Sequence, residues 1–468
     1  MNGMRLVCVG GSDAGIAAAL RARELDPSAD VTVVLADAYP NFSICGLPYA
    51  ISGEVARWQD LAHRTVEDLE ATGMRLRTNT TARSVDVAGH RLLVTTADGA
   101  DEWLGYDRLV IGTGAEPVIP PIDGLRPTPD SPALGQGDGV HVLHTMGDMF
   151  AVLASIDERD AETALVVGAG YIGLEMADAL TVRGIRVTQV EALPQVLPTV
   201  DSEIAAVIGA ALNDHGVDVL TGTTVTRIAR DGDRLIVTGN PDLSRTVDLV
   251  LVVVGVQPDT ALAQTAGAKL GIGGALVVDE TMRTGVPDVF AAGDCVHTHH
   301  RLLPKPIYIP LGTTAHKQGR IAGENAVGGH RAFAGSLGTQ VVKVFDLAVA
   351  RTGLRDHEAT DARYAPTTVE SVADDHKRYY PGAHELTMRV TGDRRTGQLL
   401  GMQMVGDKDG AVAKRIDIAA AALFADLTVD QISDLDLAYT PPLGSPWDAV
   451  QIAAQDWLLQ VSVRSRRS

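Results

Sequence analysis

Leu165-Val166-Val167-Gly168-Ala169-Gly170-Tyr171-Ile172-Gly173 is a short apolar strand that runs into a turn with three glycines. The residues that follow predict a helix over 174–183 and a second strand over 185–190. Glycines in such a turn let backbone N–H groups approach a pyrophosphate at the start of the helix, where the helix dipole favours an anion. The stretch therefore predicts a dinucleotide-binding βαβ unit.

A related turn lies near the N-terminus. A strand over 5–9 leads into it, and a helix over 16–25 and a strand over 31–35 follow it. Ser12 stands at the middle glycine position, so this turn fits the pattern less closely. Two such units in one chain predict two bound dinucleotides. In the alternative interpretation, the glycines bind no nucleotide and only allow a helix to pack closely on a strand. The first turn contributes Gly10, Gly11, Ser12, Asp13, Ala14 and Gly15, and the second contributes Gly168, Gly170, Tyr171, Ile172 and Gly173.

Two carboxylates follow predicted strands. Glu191 closes the strand after the second glycine turn, where it would accept hydrogen bonds from a ribose 2′-hydroxyl and repel a 2′-phosphate. This position favours NADH over NADPH. Asp294 follows a predicted buried strand and Gly293, where it would either bind a ribityl hydroxyl of a flavin or cap the N-terminus of a helix. Both interpretations of Asp294 stay open on the sequence alone.

Composition and charge disfavour several classes of partner. The chain has 468 residues, enough for about three domains, and its 40 Lys and Arg against 59 Asp and Glu give a net charge of −19. Such an acidic surface repels nucleic-acid phosphates and anionic lipid, so neither nucleic acid nor a membrane is an expected partner. The longest apolar run, 249–256, is too short to span a membrane and predicts a buried strand. The few cysteines and the absence of a signal pattern favour the cytoplasm.

The sequence changes character after Gly335. Strands are predicted over 340–345, 386–390 and 399–405, and a helix is predicted over 411–424. This pattern is typical of an α+β domain. The predicted fold is therefore α/β, with two Rossmann-like dinucleotide-binding domains and a C-terminal α+β domain.

Three histidines follow Asp294 and raise the question of a metal site: His297, His299 and His300. No cysteine or carboxylate stands near them at a spacing typical of a ligand set. We interpret the three as solvated side chains of a loop, and no metal site is predicted.

Cys45 is an isolated cysteine, since a dithiol redox enzyme of this layout would have its second cysteine at Ala50. If catalytic, it must act as a single thiol through a mixed disulfide, a persulfide or a sulfenate. Pro48 fits the first turn of a helix, and the helix dipole there would lower the pKa of the thiol. The alternative is a small buried hydrophobe, which is our interpretation of Cys8 and Cys295.

Together these features resemble the single-cysteine branch of the flavin-dependent pyridine nucleotide–disulfide oxidoreductases. That branch contains coenzyme A-disulfide reductases, CoA-dependent persulfide reductases, NADH peroxidases and NADH oxidases. Cys45-Gly46-Leu47-Pro48-Tyr49 is similar to the coenzyme A-disulfide reductases, and Asp13 stands where peroxidases and oxidases carry a histidine. The resemblance covers essentially the whole chain, through segments 10–15, 42–53, 106–107, 112–115, 168–173, 255–258, 292–294, 316–320, 343–346 and 438–442.

The resemblance implies a homodimer of three-domain chains. FAD would bind a domain formed by 1–125 and 258–332, NADH would bind 126–257, and 333–468 would form the dimerisation domain. It implies cofactor contacts for Phe42, Ser43, Thr113, Gly114, Gly255, Gly293 and Asp294, beside the two glycine turns.

The resemblance also assigns the redox chemistry. Cys45 would face the flavin, and Tyr439 of the partner subunit would lie near its sulfur together with Tyr379 or Tyr380. Cys45, Tyr379, Tyr380 and Tyr439 are therefore the candidate catalytic residues.

This chain departs from the family at the FAD ribose and on the thiol side. Leu35 replaces the family's acidic residue at the end of the second strand, so either Asp37 takes over the ribose contact or that contact is lost. Four residues are expected on the thiol-substrate side: Arg21, Arg23, Asn41 and Ile44. The family has serine and asparagine at the last two of these positions, which leaves coenzyme A as one candidate substrate among several.

Three functions stay open. The favoured one is an NADH-dependent FAD enzyme that reduces a small-molecule disulfide or persulfide through Cys45. The first alternative is an NADH oxidase or peroxidase that works through a Cys45 sulfenate. The second is a flavoprotein that reduces a protein electron acceptor and in which Cys45 is only structural.

Overall fold

The first glycine turn joins a parallel strand to a helix, as predicted. The computed structural model describes residues 3–129 and 131–465. The elements before residue 130 are, in chain order, β1 (Arg5–Val9), α1 (Asp13–Leu25), β2 (Asp30–Val34), α2 (Leu47–Ser52), α3 (Val66–Ala71), β3 (Arg75–Arg77), β4 (Thr81–Asp86), β5 (Arg91–Thr95), β6 (Asp101–Gly105), β7 (Arg108–Ile111) and β8 (Ala115–Pro117).

The second glycine turn repeats this arrangement. The elements from residue 131 to the end of the second unit are β9 (Val140–His141), α4 (Met146–Glu158), β10 (Thr163–Val167), α5 (Tyr171–Val182), β11 (Arg186–Val190), α6 (Ser202–Asp214), β12 (Asp218–Leu220), β13 (Thr224–Asp231), β14 (Arg234–Asn240), β15 (Leu243–Val247), β16 (Leu249–Val252) and β17 (Val256–Pro258).

A return segment and a C-terminal unit follow. The elements are α7 (Ala261–Thr265), β18 (Val289–Ala291), α8 (Gly312–Ala326), β19 (Gln340–Val344), β20 (Leu347–Gly353), α9 (Asp356–Asp361), β21 (Pro366–Asp374), β22 (Glu385–Asp393), β23 (Leu399–Asp407), α10 (Val412–Phe424), α11 (Val429–Ser433) and α12 (Ala449–Ser465).

Two parallel five-stranded sheets carry the glycine turns. The first has the order β18-β7-β1-β2-β3 and the second has the order β12-β11-β10-β16-β9, with all neighbouring strands parallel. Strand β18 therefore returns to the first sheet after the second unit is complete. Both glycine turns follow the carboxyl end of a central strand, where open parallel sheets bind ligands.

Smaller antiparallel sheets extend the two units, and a larger one forms the C-terminal domain. The smaller sheets are β4-β5-β6, β13-β14-β15 and β8-β17, and the C-terminal sheet has the order β19-β20-β23-β22-β21. Helices α10 and α12 contact this last sheet, and the buried Trp457 donates from Nε1 to the Thr367 carbonyl at 2.7 Å. The α/β fold with two Rossmann-like units and a C-terminal α+β domain is confirmed.

Two sequence predictions of local structure are wrong. The apolar run over 249–256 is not one strand, because β16 ends at Val252 and Gly255 has a φ of +112°, which ordinary side chains rarely adopt. Val254 is consequently exposed. The histidine loop is not fully solvated: His300 is buried, and burial lowers its pKa to about 4.

Within 3–129 and 131–465, no three His, Cys, Asp or Glu side chains form a set that could bind a metal ion. None of the helices in this described part combines the length and the apolar character needed to cross a membrane.

Candidate active site

Cys45 lies in a single 3₁₀ turn, Ile44–Gly46, that leads directly into α2. Pro48 occupies the first turn of that helix, as predicted. Cys45 is exposed, whereas Cys8 and Cys295 are completely buried. Of the cysteines, Cys45 is thus the one that a thiol substrate can reach, and the other two are structural.

Three carboxylates surround the Cys45 thiol. Partial burial raises its pKa above the usual value, and the negative charges of Glu175, Asp13 and Asp294 raise it further. The expectation that the helix dipole lowers this pKa is wrong for the described chain. Helix α2 is only 6 residues long, and its effect does not outweigh three nearby acids.

Two of these acids are held by defined partners. Asp13 Oδ1 lies 3.2 Å from His316 Nε2 of α8, and this carboxylate raises the pKa of His316. Glu175 accepts from the Tyr49 hydroxyl at 3.3 Å, and burial raises the pKa of Glu175 to about 7. Sequence reasoning gave no role to Glu175, and it placed His316 in a segment that matches the family without assigning it a role. The one available signal for Glu175 was its spacing of four residues from Tyr171, which places both side chains on one face of α5.

Asp294 does not cap a helix, because the next helix after it, α8, begins only at Gly312. Burial and the nearby Asp13 raise its pKa to about 6. Beside it, the buried Tyr308 hydroxyl has no hydrogen-bond partner among the described residues. A half-buried acid next to an unpaired phenol fits a ligand with several hydroxyl groups, such as the ribityl chain of FAD.

The first glycine turn packs closely on its neighbours. A Cβ at Gly10 would lie 2.0 Å from the Gly112 carbonyl oxygen, and one at Gly15 would lie 2.0 Å from the Gly10 carbonyl oxygen. Gly11 faces the buried Leu35 side chain, with only 2.5 Å left to Cδ1 for a Cβ. Ser12 is exposed at the start of α1, where free N–H groups meet an anion.

The other residues predicted for FAD lie around this turn. Asp37 is exposed and accepts from the Tyr39 N–H at 2.9 Å, which leaves carboxylate lone pairs for a ribose. Thr113 donates to the Asp259 carbonyl at 2.6 Å. Ser43 pairs through its N–H with the Leu61 carbonyl. Gly114 and Gly293 have φ values of +78° and +86°. The Ala14 side chain, on α1, packs against Gly293.

The second glycine turn has open space at its centre. A Cβ at Gly168 would meet the Val253 carbonyl oxygen at 2.6 Å, and one at Gly173 would meet the Gly168 carbonyl oxygen at 2.2 Å. At Gly170, by contrast, no atom lies within 4 Å of such a Cβ. The first and third glycines therefore serve the packing of helix on strand, and the second leaves room for a pyrophosphate.

Glu191 reaches back to this turn. Its Oε2 accepts from the Ala169 N–H and its Oε1 accepts from the Leu193 N–H, both at 2.8 Å. The carboxylate is nearly buried but keeps unused lone pairs for a ribose hydroxyl. Ile172 packs on the core beneath the turn, and Gly255, with open space around it, lies at the sheet edge nearby.

The residues predicted on the thiol side have partners inside the protein. Arg21 pairs with Glu324 at 2.6 Å and with Glu24 at 2.8 Å. Arg23 donates to the backbone carbonyls of residues 27, 29 and 72. Asn41 is buried with a φ of +58° and accepts from Arg64. Arg21, Arg23 and Asn41 thus each have a partner within the protein, and their place on the thiol side stays a prediction.

Ile44 belongs to an aromatic and aliphatic layer that sequence reasoning missed. It packs on the core of the second unit next to four aromatic rings whose centroids lie 5.2–5.9 Å apart. The four rings are Tyr39, Phe42, Trp58 and Phe150. Because the first three flank Cys45 in sequence and Phe150 lies on α4, this layer braces the Cys45 loop against the second unit.

The candidate tyrosines lie together in the C-terminal domain. The Tyr439 hydroxyl is close enough to Tyr379 to raise its pKa, and the Lys377 N–H donates to the Pro441 carbonyl at 3.3 Å. Tyr380 turns away and contacts the His376 ring edge-on at 5.8 Å. Since all three tyrosines are exposed, they are available to a partner, and Tyr379 is the one that pairs with Tyr439.

Comparison with known proteins covers nearly the whole chain. The family model described as "Pyridine nucleotide-disulphide oxidoreductase" matches residues 4–319, and the model of the dimerisation domain of these oxidoreductases matches residues 339–449. An "NADH oxidase" of Methanocaldococcus jannaschii is 32% identical over 98% of this chain and 100% of its own length. An "NAD(P)H sulfur oxidoreductase (CoA-dependent)" of Pyrococcus furiosus is 33% identical over 97% of this chain and 99% of its own length.

A solved structure extends the likeness to three dimensions. Reduced Bacillus anthracis CoADR-RHD superposes with a TM-score of 0.93 at 31% identity, over 99% of this chain and 81% of that one. The two parallel sheets, the C-terminal domain and the order of the elements are thus shared with a known protein.

Proposed function

Because the chain belongs to the pyridine nucleotide-disulphide oxidoreductase family, we propose that it uses NADH and FAD to reduce a small-molecule disulfide or persulfide at Cys45. The observation that carries this proposal is the single exposed thiol, which lies close to Asp13 of the first glycine turn and to Glu175 of the helix that follows the second one. The relatives named for sulfur reduction support it. Coenzyme A disulfides and persulfides are candidates for the substrate.

FAD would be held by the first glycine turn, Asp37, Thr113 and Asp294, and NADH by the second turn and Glu191. When bound, FAD supplies the hydride acceptance from NADH and the electron-pair transfer to sulfur that no side chain provides. The chain's own residues bind and orient these groups. We propose the same domain bounds as from sequence: 1–125 with 258–332 for FAD, 126–257 for NADH, and 333–468 for dimerisation.

A single thiol is sufficient for a complete reaction cycle. The Cys45 thiolate attacks a disulfide RS–SR′, forms a Cys45–SR bond and releases R′S⁻, which takes a proton. The electron pair from NADH then breaks the Cys45–SR bond, which restores the Cys45 thiolate and releases RS⁻, again with a proton. The sum is NADH, H⁺ and RS–SR′ giving NAD⁺, RSH and R′SH.

We propose that the protons come from groups close to the departing sulfur. Tyr379 and Tyr439 lie on the exposed face of the C-terminal domain, and in a homodimer they would approach the partner's Cys45. A phenol there stabilises the leaving thiolate and makes it a better leaving group. The proposed enzyme is a cytoplasmic homodimer that binds neither nucleic acid nor a membrane.

One observation favours a second candidate, an NADH oxidase: the Methanocaldococcus jannaschii relative bears that name. Such an enzyme would use a Cys45 sulfenate and oxygen or peroxide. The two candidates differ in the electron acceptor that NADH oxidation requires, which is a disulfide for the reductase and oxygen or peroxide for the oxidase. For the reductase, anaerobic NADH oxidation with a disulfide such as coenzyme A disulfide should exceed aerobic oxidation without it by at least about tenfold. Uptake of one O2 for every two NADH consumed, unchanged by disulfide, would instead establish the oxidase.

Glu191 should set the choice of coenzyme. Glu191→Gln keeps an acceptor for the Ala169 N–H but removes the charge that would face a 2′-phosphate. We expect the ratio of kcat/KM for NADH to kcat/KM for NADPH to fall by about tenfold or more, since charge-assisted contacts are worth about 1.5–3 kcal/mol. Steady-state kinetics with both coenzymes measure this. Glu158→Ala, an exposed carboxylate on α4, is the matched control and should leave the ratio unchanged. A wild-type preference for NADPH contradicts the assignment.

A further inference from the structure

The segment from 192 to 201, here called the 192–201 segment, connects the end of β11 to α6. It contains no helix or strand, yet Val196, Leu197 and Val200 are buried. An irregular segment with a buried core is fixed in place rather than free in solvent. It begins directly after Glu191, so its position bears on the proposed NADH site.

One side of the 192–201 segment is tied to the second glycine turn. The Leu197 N–H donates to the Ala169 carbonyl at 2.8 Å, inside the turn itself. The Thr199 hydroxyl lies 3.1 Å from the Tyr171 hydroxyl. Tyr171 is the first residue of α5 and directly follows Gly170, around which the structure leaves open space. The phenol ring is thus held at the border of that space by a threonine from the segment.

The other side is tied to the C-terminal domain by two arginines. Arg351 donates to the Thr199 carbonyl at 2.5 Å, and Arg355 donates to the Pro198 and Val200 carbonyls at 2.9 and 3.2 Å. Both donors carry charge, which makes these hydrogen bonds stronger than neutral ones. At the end of the segment, the Asp201 carboxylate accepts from Arg389 and Gln403, each at 2.8 Å.

Glu358 locks the two arginines together. It accepts from Arg351 at 2.9 Å and from Arg355 at 3.0 Å, and their charges hold the pKa of Glu358 at about 2. The arginine side chains are only 11% and 14% exposed. Glu358 is partly buried and doubly paired, so it fixes the geometry of both arginines: removal of one partner leaves an uncompensated charge. We call Arg351, Glu358 and Arg355 the arginine clamp.

We propose that the arginine clamp and Thr199 are positioning residues for the coenzyme, which set the Tyr171 ring and the second glycine turn in the shape that binds NADH. The C-terminal domain thereby acts on coenzyme binding within its own subunit. This inference rests on the proposed function, since it takes the second glycine turn to be the NADH site. It predicts that the Thr199 hydroxyl strengthens coenzyme binding without contacting the coenzyme, because it holds the Tyr171 ring in position.

The test uses purified FAD-containing enzyme and NAD⁺, which binds without reducing the flavin. Thr199→Val removes the hydroxyl but keeps the shape, and we expect a rise of about 5-fold in the Kd for NAD⁺ by calorimetry and in the KM for NADH. The KM for disulfide and the FAD content should not change. Thr199→Ser should restore the wild-type values. Tyr171→Phe should raise the Kd by the same factor, and the double variant should be no worse than either single one.

Two outcomes overturn the proposal: a silent Thr199→Val, or additive effects of Thr199→Val and Tyr171→Phe. Gly170→Val separates this failure from failure of the proposed NADH site, because its side chain would enter the open space, where no protein atom lies within 4 Å of a Cβ. If Gly170→Val leaves NAD⁺ binding intact, the NADH site itself is wrong. If Gly170→Val abolishes binding while Thr199→Val is silent, only the positioning role fails. Glu358→Gln should weaken NAD⁺ binding as Thr199→Val does. If Glu358→Gln does not fold, the comparison of Thr199→Val with Thr199→Ser alone tests the positioning role.

Discussion

Replacement of Cys45 by serine is expected to lower NADH-driven disulfide turnover by at least about 10³-fold. A serine hydroxyl is not a competent nucleophile here, and it cannot form the sulfur–sulfur bond that carries the substrate. FAD should still bind, and NADH should still bleach it in anaerobic stopped-flow measurements, since neither glycine turn contains Cys45. The expected signature is therefore a fast first step followed by a stalled second one.

Matched controls come from the other cysteines. Cys8→Ala and Cys295→Ala remove thiols that are completely buried, so each should keep disulfide turnover provided that it folds. Tyr439→Phe keeps the Cys45 thiol and removes one phenol, so its loss should be smaller than that of Cys45→Ser. If Cys45→Ser turns over disulfide within a few-fold of wild type, electrons leave by another route. An enzyme that reduces a protein acceptor, with a structural Cys45, would then be the better explanation.

Because the pKa of Cys45 is raised, the rate of its attack on a disulfide should depend on pH. Only the thiolate attacks a disulfide. Partial burial, together with the charges of Glu175, Asp13 and Asp294, raises the pKa of Cys45 and so keeps the proton on the thiol to a higher pH than usual. The attack on substrate should therefore speed up as pH rises towards the pKa of the thiol.

Local sequence patterns predicted the elements that depend on neighbouring residues. The two glycine turns, the helix start at Pro48 and the strand ends at Glu191 and Asp294 all follow from short-range chemistry. The helix starts differ from the predicted ones. Helix α1 begins at Asp13 and α5 at Tyr171, three residues earlier than expected in each case, because the turns lead into helix without a break.

Long-range contacts account for what the sequence did not predict. Arg21 finds its carboxylate partner 303 residues away in Glu324, so no local pattern could show that it is already paired. The choice between Tyr379 and Tyr380 depends on which ring the Pro-Pro segment around Tyr439 approaches. The pKa of Cys45 depends on acids from three distant segments. Such effects belong to the tertiary structure and not to any motif.

Gly319→Val is expected to prevent the formation of a stable FAD-binding domain. Helices α1 and α8 cross in direct backbone contact, and a Cβ at Gly319 would lie 2.2 Å from the Ala14 carbonyl oxygen. A second glycine one turn later, Gly323, has the same relation to Ala18 at 2.1 Å. These atoms belong to helix backbone, which cannot move aside as a flexible side chain would. We expect the free energy of unfolding to fall by about 3 kcal/mol or more.

The FAD content of the protein measures this separation of the two helices, because Ala14 and Gly15 belong to the turn proposed to hold the FAD pyrophosphate. Helices forced apart at Gly319 displace that turn, so the variant should be insoluble or should lose FAD absorbance at 450 nm relative to protein. Gly209→Ala is the matched control: Gly209 lies inside α6 with no atom within 4 Å of a Cβ, so alanine should stabilise the helix by about 0.5–1 kcal/mol. A Gly319→Val protein with full FAD content and an unchanged Tm would show that α1 and α8 are not packed as described. The site of FAD would then have to be sought away from the α1–α8 contact.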